Sequence, residues 1–337
     1  MAADAGAPVD WCAAETLAWA AVLEAGRSIR LSGLDVQRGT FMHRQAVWHN
    51  QSPTGPATWL PLQSLSTESA RLEIHNSVLS EEAVLGYEYG HSVQSPGDMT
   101  VWEAQFGDFV NGAQVYLDQY ISSGEEKWGV ASALTVLLPH GYEGVGPEHS
   151  NGFLSRMLQL CGADNLRVAC PSTSGQYAHL LIRQALEPVR KPLIVMTPKG
   201  TMMSEPTSHT AIGAMAAAAF QPVLDDDTVA DRGAVTRVVL SSGKVAYDLL
   251  AARDAGVERG RTAIVRLEQL YPFPAVELVD VLARYPSVRS LVWTQEETRH
   301  QGAWAFIRDE LEALCPPGAS LSKVARAMTA AGATASV

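Results

Sequence analysis

No CxxC pair occurs among the four cysteines, Cys12, Cys161, Cys170 and Cys315, and scattered single thiols read as reduced core residues rather than a disulfide framework. No run of about 18 apolar residues is present, so no membrane span is expected. The opening MAADAGAPVD lacks both a basic stretch leading into an apolar core and an Arg-rich transit pattern, so a cytoplasmic protein is expected. Cations are scarce as well: 25 Lys and Arg stand against 36 Asp and Glu, a net charge of −11. That balance argues against nucleic acid or an anionic membrane as partner, since either would want clustered Lys and Arg. No internal repeat is visible, and low complexity is confined to an alanine-rich stretch near residue 215.

What is present is a chain of 337 residues, 47% hydrophobic, enough to bury a large core in two domains. Asp10 can cap a helix over 11–25, with Leu17, Ala21 and Ala25 at helical spacing and Gly26 as the stop. Short apolar segments then alternate with helical ones: ALTVLL, FLSRMLQLC, LRVAC, YAHLLIRQAL, PLIVM. That rhythm predicts an α/β fold, a mostly parallel sheet covered on both faces by helices. Residues 201–234 break it with polar, small and charged stretches, which predicts a linker between a domain at 1–200 and a smaller α/β domain at 235–337. The densest concentration of chemistry is LLPHGYEGVGPEHS, 137–150, where an apolar run breaks into a loop with glycines, glutamates and two histidines. Such loops at strand ends are where α/β proteins place their sites. Its glycines form neither GxGxxG nor a P-loop, and His140 and His149 have no metal-ligand spacing.

The blocks RLSGLDVQRGTFMHRQAVWHNQ, SVLSEEAVLGYEYG, WEAQFGDFVNGAQVYLDQYISSGEEKWG and LLPHGYEGVGPEHS resemble the decarboxylating component of the 2-oxoglutarate dehydrogenase complex. PST, TPK, IVRLEQLYPFP and QGAW extend the resemblance along nearly the whole chain. It covers the later part of that family's chain: the transketolase-like pyrimidine-binding domain and the C-terminal domain of a thiamin diphosphate enzyme. The family's earlier domain, which holds the diphosphate and magnesium through GDG and a following Asn, has no counterpart here; the GDF at 107–109 belongs to the WEAQFGDF block.

The resemblance implies a β-like subunit that needs an α-like partner for diphosphate and magnesium, self-associating as a dimer within a heterotetramer. It implies Glu81 as the carboxylate that relays a proton at the cofactor's aminopyrimidine, with a raised pKa, work worth roughly 10² to 10⁴ in rate. On composition alone, Glu81 and Glu82 are equally two glutamates opening a helix. Phe106 is implied as the ring stacked on the aminopyrimidine, with Gln105 beside it; without the resemblance it reads as a core Phe. His149, and His140 after it, are implied to steer protons and hold substrate, the bland alternative being a cap for the following helix. Asp35, Arg38 and the pair His43/Arg44 lie in one polar block, whose cations are candidates for fixing substrate carboxylates, for pairing with Asp35 or for holding a dimer contact. Arg183 matches an arginine near a regulatory nucleotide site in some members; on its own it reads as an exposed helix residue.

Two departures touch the substrate region: the chain has RQAV with Gln45 where the family has RHAV, and PKGTMM with Met203 where the family has PKS, two apolar residues and Arg. The implied activity is decarboxylation of a 2-oxo acid such as 2-oxoglutarate, passing the acyl group to a lipoyl acyltransferase. A thiamin-dependent carboligase is the alternative, and a noncatalytic assembly paralogue is the reading from another class.

Overall fold

The computed structural model describes residues 4–331 except Glu68, Gly144, Val145 and Glu258, and omits the side chain of Met203. Met203, where the family's Arg would stand, therefore lies outside the described side chains. So do the central two residues of the glycine loop.

The first sheet has seven strands in the order Gln269–Tyr271, Arg167–Ala169, Leu193–Pro198, Thr135–His140, Met99–Glu103, Ile29–Gly33, Leu72–Asn76. All neighbours are parallel except Gln269–Tyr271, which runs antiparallel to Arg167–Ala169. The central strands TVLLPH and LIVMTP are buried at every residue, as expected when both faces are covered. Their side chains divide with the period of two that a pleat imposes. Leu137, Leu193 and Val195 join the core under helices Trp11–Glu24 and Ser174–Leu186, whereas Val136, Leu138, Ile194 and Met196 join the core on the opposite face.

Helix Trp11–Glu24 starts as expected, with the Asp10 carboxylate accepting from Ala13 N at 2.7 Å. Its buried stripe is not the expected one. Leu17 is exposed, and Trp11, Ala14, Ala18, Trp19, Val22 and Leu23 turn inward, because the two large indoles claim the core side.

The second sheet orders Val223–Leu224, Thr262–Leu267, Arg237–Ser241, Ser290–Thr298, Ser320–Arg326, parallel except for the first. The stretch 201–234 is built into both units. Thr210–Ala211 pairs with Pro8–Val9, and Val223–Leu224 with Arg266 and Leu267. Gln269–Tyr271 crosses the other way into the seven-stranded sheet. The turn that precedes it is held by buried Glu268, whose carboxylate accepts from Ser172 N at 2.7 Å and Ser172 Oγ at 2.5 Å. Among the described residues no helix is long and apolar enough to cross a membrane.

Candidate functional site

The C-terminal ends of the parallel strands release their loops along one edge of the first sheet, the edge where open α/β sheets bind ligands. Glu81, Gln105, Phe106, His140 and His149 all lie on segments leaving that edge.

Glu81 opens helix Glu81–Gln94, which Ser80 caps by accepting from Ala83 N at 3.3 Å. The buried residues of this helix are Leu85, Glu88 and Ser92. Counting back four from Leu85 puts Glu81 on the same inward stripe. Glu82, one step around the helix, is exposed. Glu88 anchors the stripe by pairing with Arg30 of the neighbouring strand at 2.9 Å. The half-buried Glu81 therefore faces a cleft that it lines with Gln105, Glu103 and Trp102. Gly112, on the turn after Phe106, lies against it: a Cβ there would sit 3.5 Å from Glu81 Oε2.

Phe106 is half-buried at the centre of an aromatic group. Phe41 meets it edge-on at 5.4 Å between centroids, Phe109 at 5.9 Å, and His149 at 4.5 Å with the planes at 89°. His149, half-buried, thus packs at right angles to Phe106 and lies 5.7 Å from Phe109 between centroids. It does not cap the next helix, since Leu154–Gln159 begins at Phe153 with no side-chain cap. The close approach of the two loops depends on Gly107, where a Cβ would stand 2.6 Å from Gly152 Cα and 2.7 Å from Pro139 O.

His140 differs from the expected loop histidine. It is the last residue of Thr135–His140 and is 7% exposed. Nε2 lies 3.1 Å from Glu297 Oε1, and Nδ1 accepts from Gly152 N at 3.0 Å. Burial opposes protonation, but the Glu297 and Glu296 carboxylates outweigh it, so the imidazole titrates above its ordinary value. Held on both nitrogens by the C-terminal unit and by the loop, His140 is placed to fix the loop's root.

The expected cations are already engaged. Arg38 pairs with Asp35 at 2.7 Å on the surface. Arg44 is fully buried between two carboxylates, Nε to Glu15 at 2.8 Å and Nη2 to Glu103 at 2.6 Å. His43 is buried beside it with neither ring nitrogen hydrogen-bonded, Nε2 lying 3.9 Å from Glu103 Oε2, and burial lowers its pKa. Gln45 is exposed, its amide reaching only Met42 O at 3.4 Å. Arg183 is not the exposed helix residue expected. It donates to Gln269 Oε1 at 2.8 Å, covers the Phe220 ring at 4.2 Å, and burial with nearby Arg167 lowers its pKa to about 10.

The sequence reading missed the polar layer under the loop. Lys199 Nζ donates to Gly141 O at 2.8 Å and to His149 O. Lys244 pairs with Glu296 at 2.9 Å, and Glu296 accepts from Tyr142 N at 3.2 Å. Asp108 accepts from Asn151 N at 3.0 Å, and burial raises its pKa. The signal for Lys199 was present in the quoted TPK; the glutamates of WTQEET carried none, standing more than 140 residues from the loop they hold.

A carboxylate and an amide in one cleft, next to a half-buried phenyl ring, form a donor set suited to an aminopyrimidine. Among the described residues no group of three or more His, Cys, Asp or Glu is placed to hold a metal ion.

The profile of the family "Transketolase, pyrimidine binding domain" matches residues 7–204, and that of "2-oxoglutarate dehydrogenase C-terminal" matches 210–337. The chain is 49% identical over 297 residues to the 2-oxoglutarate dehydrogenase E1 component of Azotobacter vinelandii, covering 88% of this chain and 31% of that protein. Identity to the E1 component of Haemophilus influenzae is 46% over 323 residues, 96% of this chain and 34% of that protein. To that of Geobacillus kaustophilus it is 47% over 322 residues, 94% and 34%. The chain thus spans about a third of the length of the curated relatives it matches. The chain belongs to the transketolase pyrimidine-binding family, in the thiamin diphosphate-dependent branch whose next domain is the 2-oxoglutarate dehydrogenase C-terminal domain.

Proposed function

We propose that this chain builds the aminopyrimidine-side wall of a thiamin diphosphate site in an enzyme that decarboxylates a 2-oxo acid, 2-oxoglutarate or a close relative. The observation that carries the reading is the position of Glu81, on the buried stripe of its helix and facing a cleft shared with Gln105. When bound, thiamin diphosphate supplies the electron sink for decarboxylation. The chain's own groups do the rest. Glu81 holds and returns a proton at its carboxylate, helped by a half-buried setting that keeps water from competing. Phe106 offers its face as a platform, and His149, packed at right angles to that ring, holds or moves a proton at an imidazole nitrogen.

The diphosphate and magnesium end calls for a further domain. In this proposal it is carried by an α-like partner chain, with two copies of each forming a heterotetramer. The test is to assay 2-oxo acid decarboxylation with the chain alone, with an α-like chain alone, and with both mixed. Turnover only in the mixture is expected. Turnover by these 337 residues alone would sink the divided-site form of the proposal, and no turnover in any folded mixture would sink the decarboxylase reading itself.

A further inference from the structure

The loop that carries the half-buried His149 is fastened at three points to the two residues that open helix Lys199–Ser204. Lys199 is 2% exposed, and its ammonium group donates to Gly141 O at 2.8 Å and to His149 O. Those carbonyls stand at the two ends of the glycine loop, so one side chain closes it. Among the described residues no carboxylate lies within ion-pair distance of Lys199 Nζ, whereas its neighbour Lys244 has Glu296 at 2.9 Å. Burial lowers the pKa of Lys199, so a desolvated ammonium here is a cost the fold sustains. Charge-assisted bonds to two carbonyls offset it. Gly200 supplies the third point. Its N–H donates to Glu143 Oε1 at 3.1 Å, and a Cβ on Gly200 would lie 2.5 Å from that same oxygen. The departure from PKS to PKG therefore coincides with a loop glutamate seated where any side chain at 200 would stand.

We propose that Lys199 and Gly200 form a latch that positions His149 against Phe106, making Lys199 a positioning residue for the site. The inference rests on the reading of His149 given above. With the latch closed, the His149 backbone is held at its carbonyl while its ring packs at right angles to Phe106, 4.5 Å between centroids. With the ammonium removed, Gly141 and His149 lose their common anchor, and the ring moves off Phe106. Misplacement on the order of 1 Å can cost about 10²-fold in rate.

The test uses the full chain and its reconstituted complex, with Lys199→Met, Lys199→Arg and Gly200→Ala, each first checked for native melting. Hydrogen exchange is read at the amides of Gly141, Tyr142 and Asn151, whose partners are Ser150 O, Glu296 and Asp108. Lys199→Met is expected to speed exchange there at least about tenfold and to lower kcat at least about tenfold with KM little changed, while Lys199→Arg restores part of both. Gly200→Ala should displace Glu143 and reproduce the exchange change from the other side, and it decides the matter if Lys199→Met fails to fold. Unchanged exchange in a folded variant overturns the latch, and faster exchange with unaltered kcat overturns its positioning role. A His149→Asn variant separates the two readings: if it keeps full turnover, the role given to His149 fails, while the exchange data still judge the latch.

Discussion

Replacing Arg44 with Met should destabilise the chain more than any single change to the surface pairs. The guanidinium makes five hydrogen bonds: to Glu15 at 2.8 and 2.9 Å, to Glu103 at 2.9 and 2.6 Å, and to Val36 O at 3.1 Å. Tyr177 adds a donor to Glu15 at 2.8 Å. Methionine keeps much of the volume over Trp19 but leaves two carboxylates buried without a counter-charge, a change that typically costs about 3–5 kcal/mol. For a domain of this size that is a fall in melting temperature on the order of 10 °C. The pH dependence identifies the mechanism. Burial pushes the Glu103 carboxyl up, and Arg44 outweighs it, holding the folded value below the ordinary one. A depressed carboxylate contributes stability above its unfolded pKa and loses it as pH falls through the folded value. Without Arg44, burial is opposed only by the weaker influence of His43, so Glu103 in the variant takes up a proton on mild acidification and escapes part of the penalty. The gap between wild type and Arg44→Met should therefore narrow between about pH 7 and about pH 5. Urea unfolding followed by tryptophan fluorescence at both pH values measures it, since Trp11 and Trp19 are buried in the same core. A gap below about 1 kcal/mol at neutral pH, or one that does not change with pH, would refute the reasoning.

In the reconstituted enzyme, Glu81→Gln should reduce turnover by roughly 10² to 10⁴, and Glu82→Gln should leave it near wild type, because only Glu81 is on the inward stripe; equal effects in a steady-state assay would remove the basis for the assignment. His140→Gln should lower stability by about 1–3 kcal/mol by weakening the contact with Glu297. The ring is held at both nitrogens, Nε2–H donating to Glu297 and Nδ1 accepting from Gly152 N, and denaturant titration at neutral pH reads the deficit.

Helix Trp11–Glu24 and the central strands were legible because capping and apolar runs are local signals. The choice between Glu81 and Glu82 was not legible, since two adjacent carboxylates in a first turn look alike until Leu85, Glu88 and Ser92 show which face is covered. The role of Arg44 stayed open between substrate contact and ion pair because its partners, Glu15 and Glu103, stand 29 and 59 residues away. Arg183 read as exposed because neither Phe220 nor Gln269 is near it in the chain.

By itself the sequence determined the alternation of strands and helices, the family, and the set of residues from which a thiamin site would be drawn, because those follow from local pattern and contiguous motif. Only the tertiary structure decided which of them face the cleft, that His140 is tied to Glu297 across 157 residues, and that Lys199 closes the loop from beneath. Such contacts are chosen by how distant segments meet when the two sheets form, and neither composition nor spacing contains that distance.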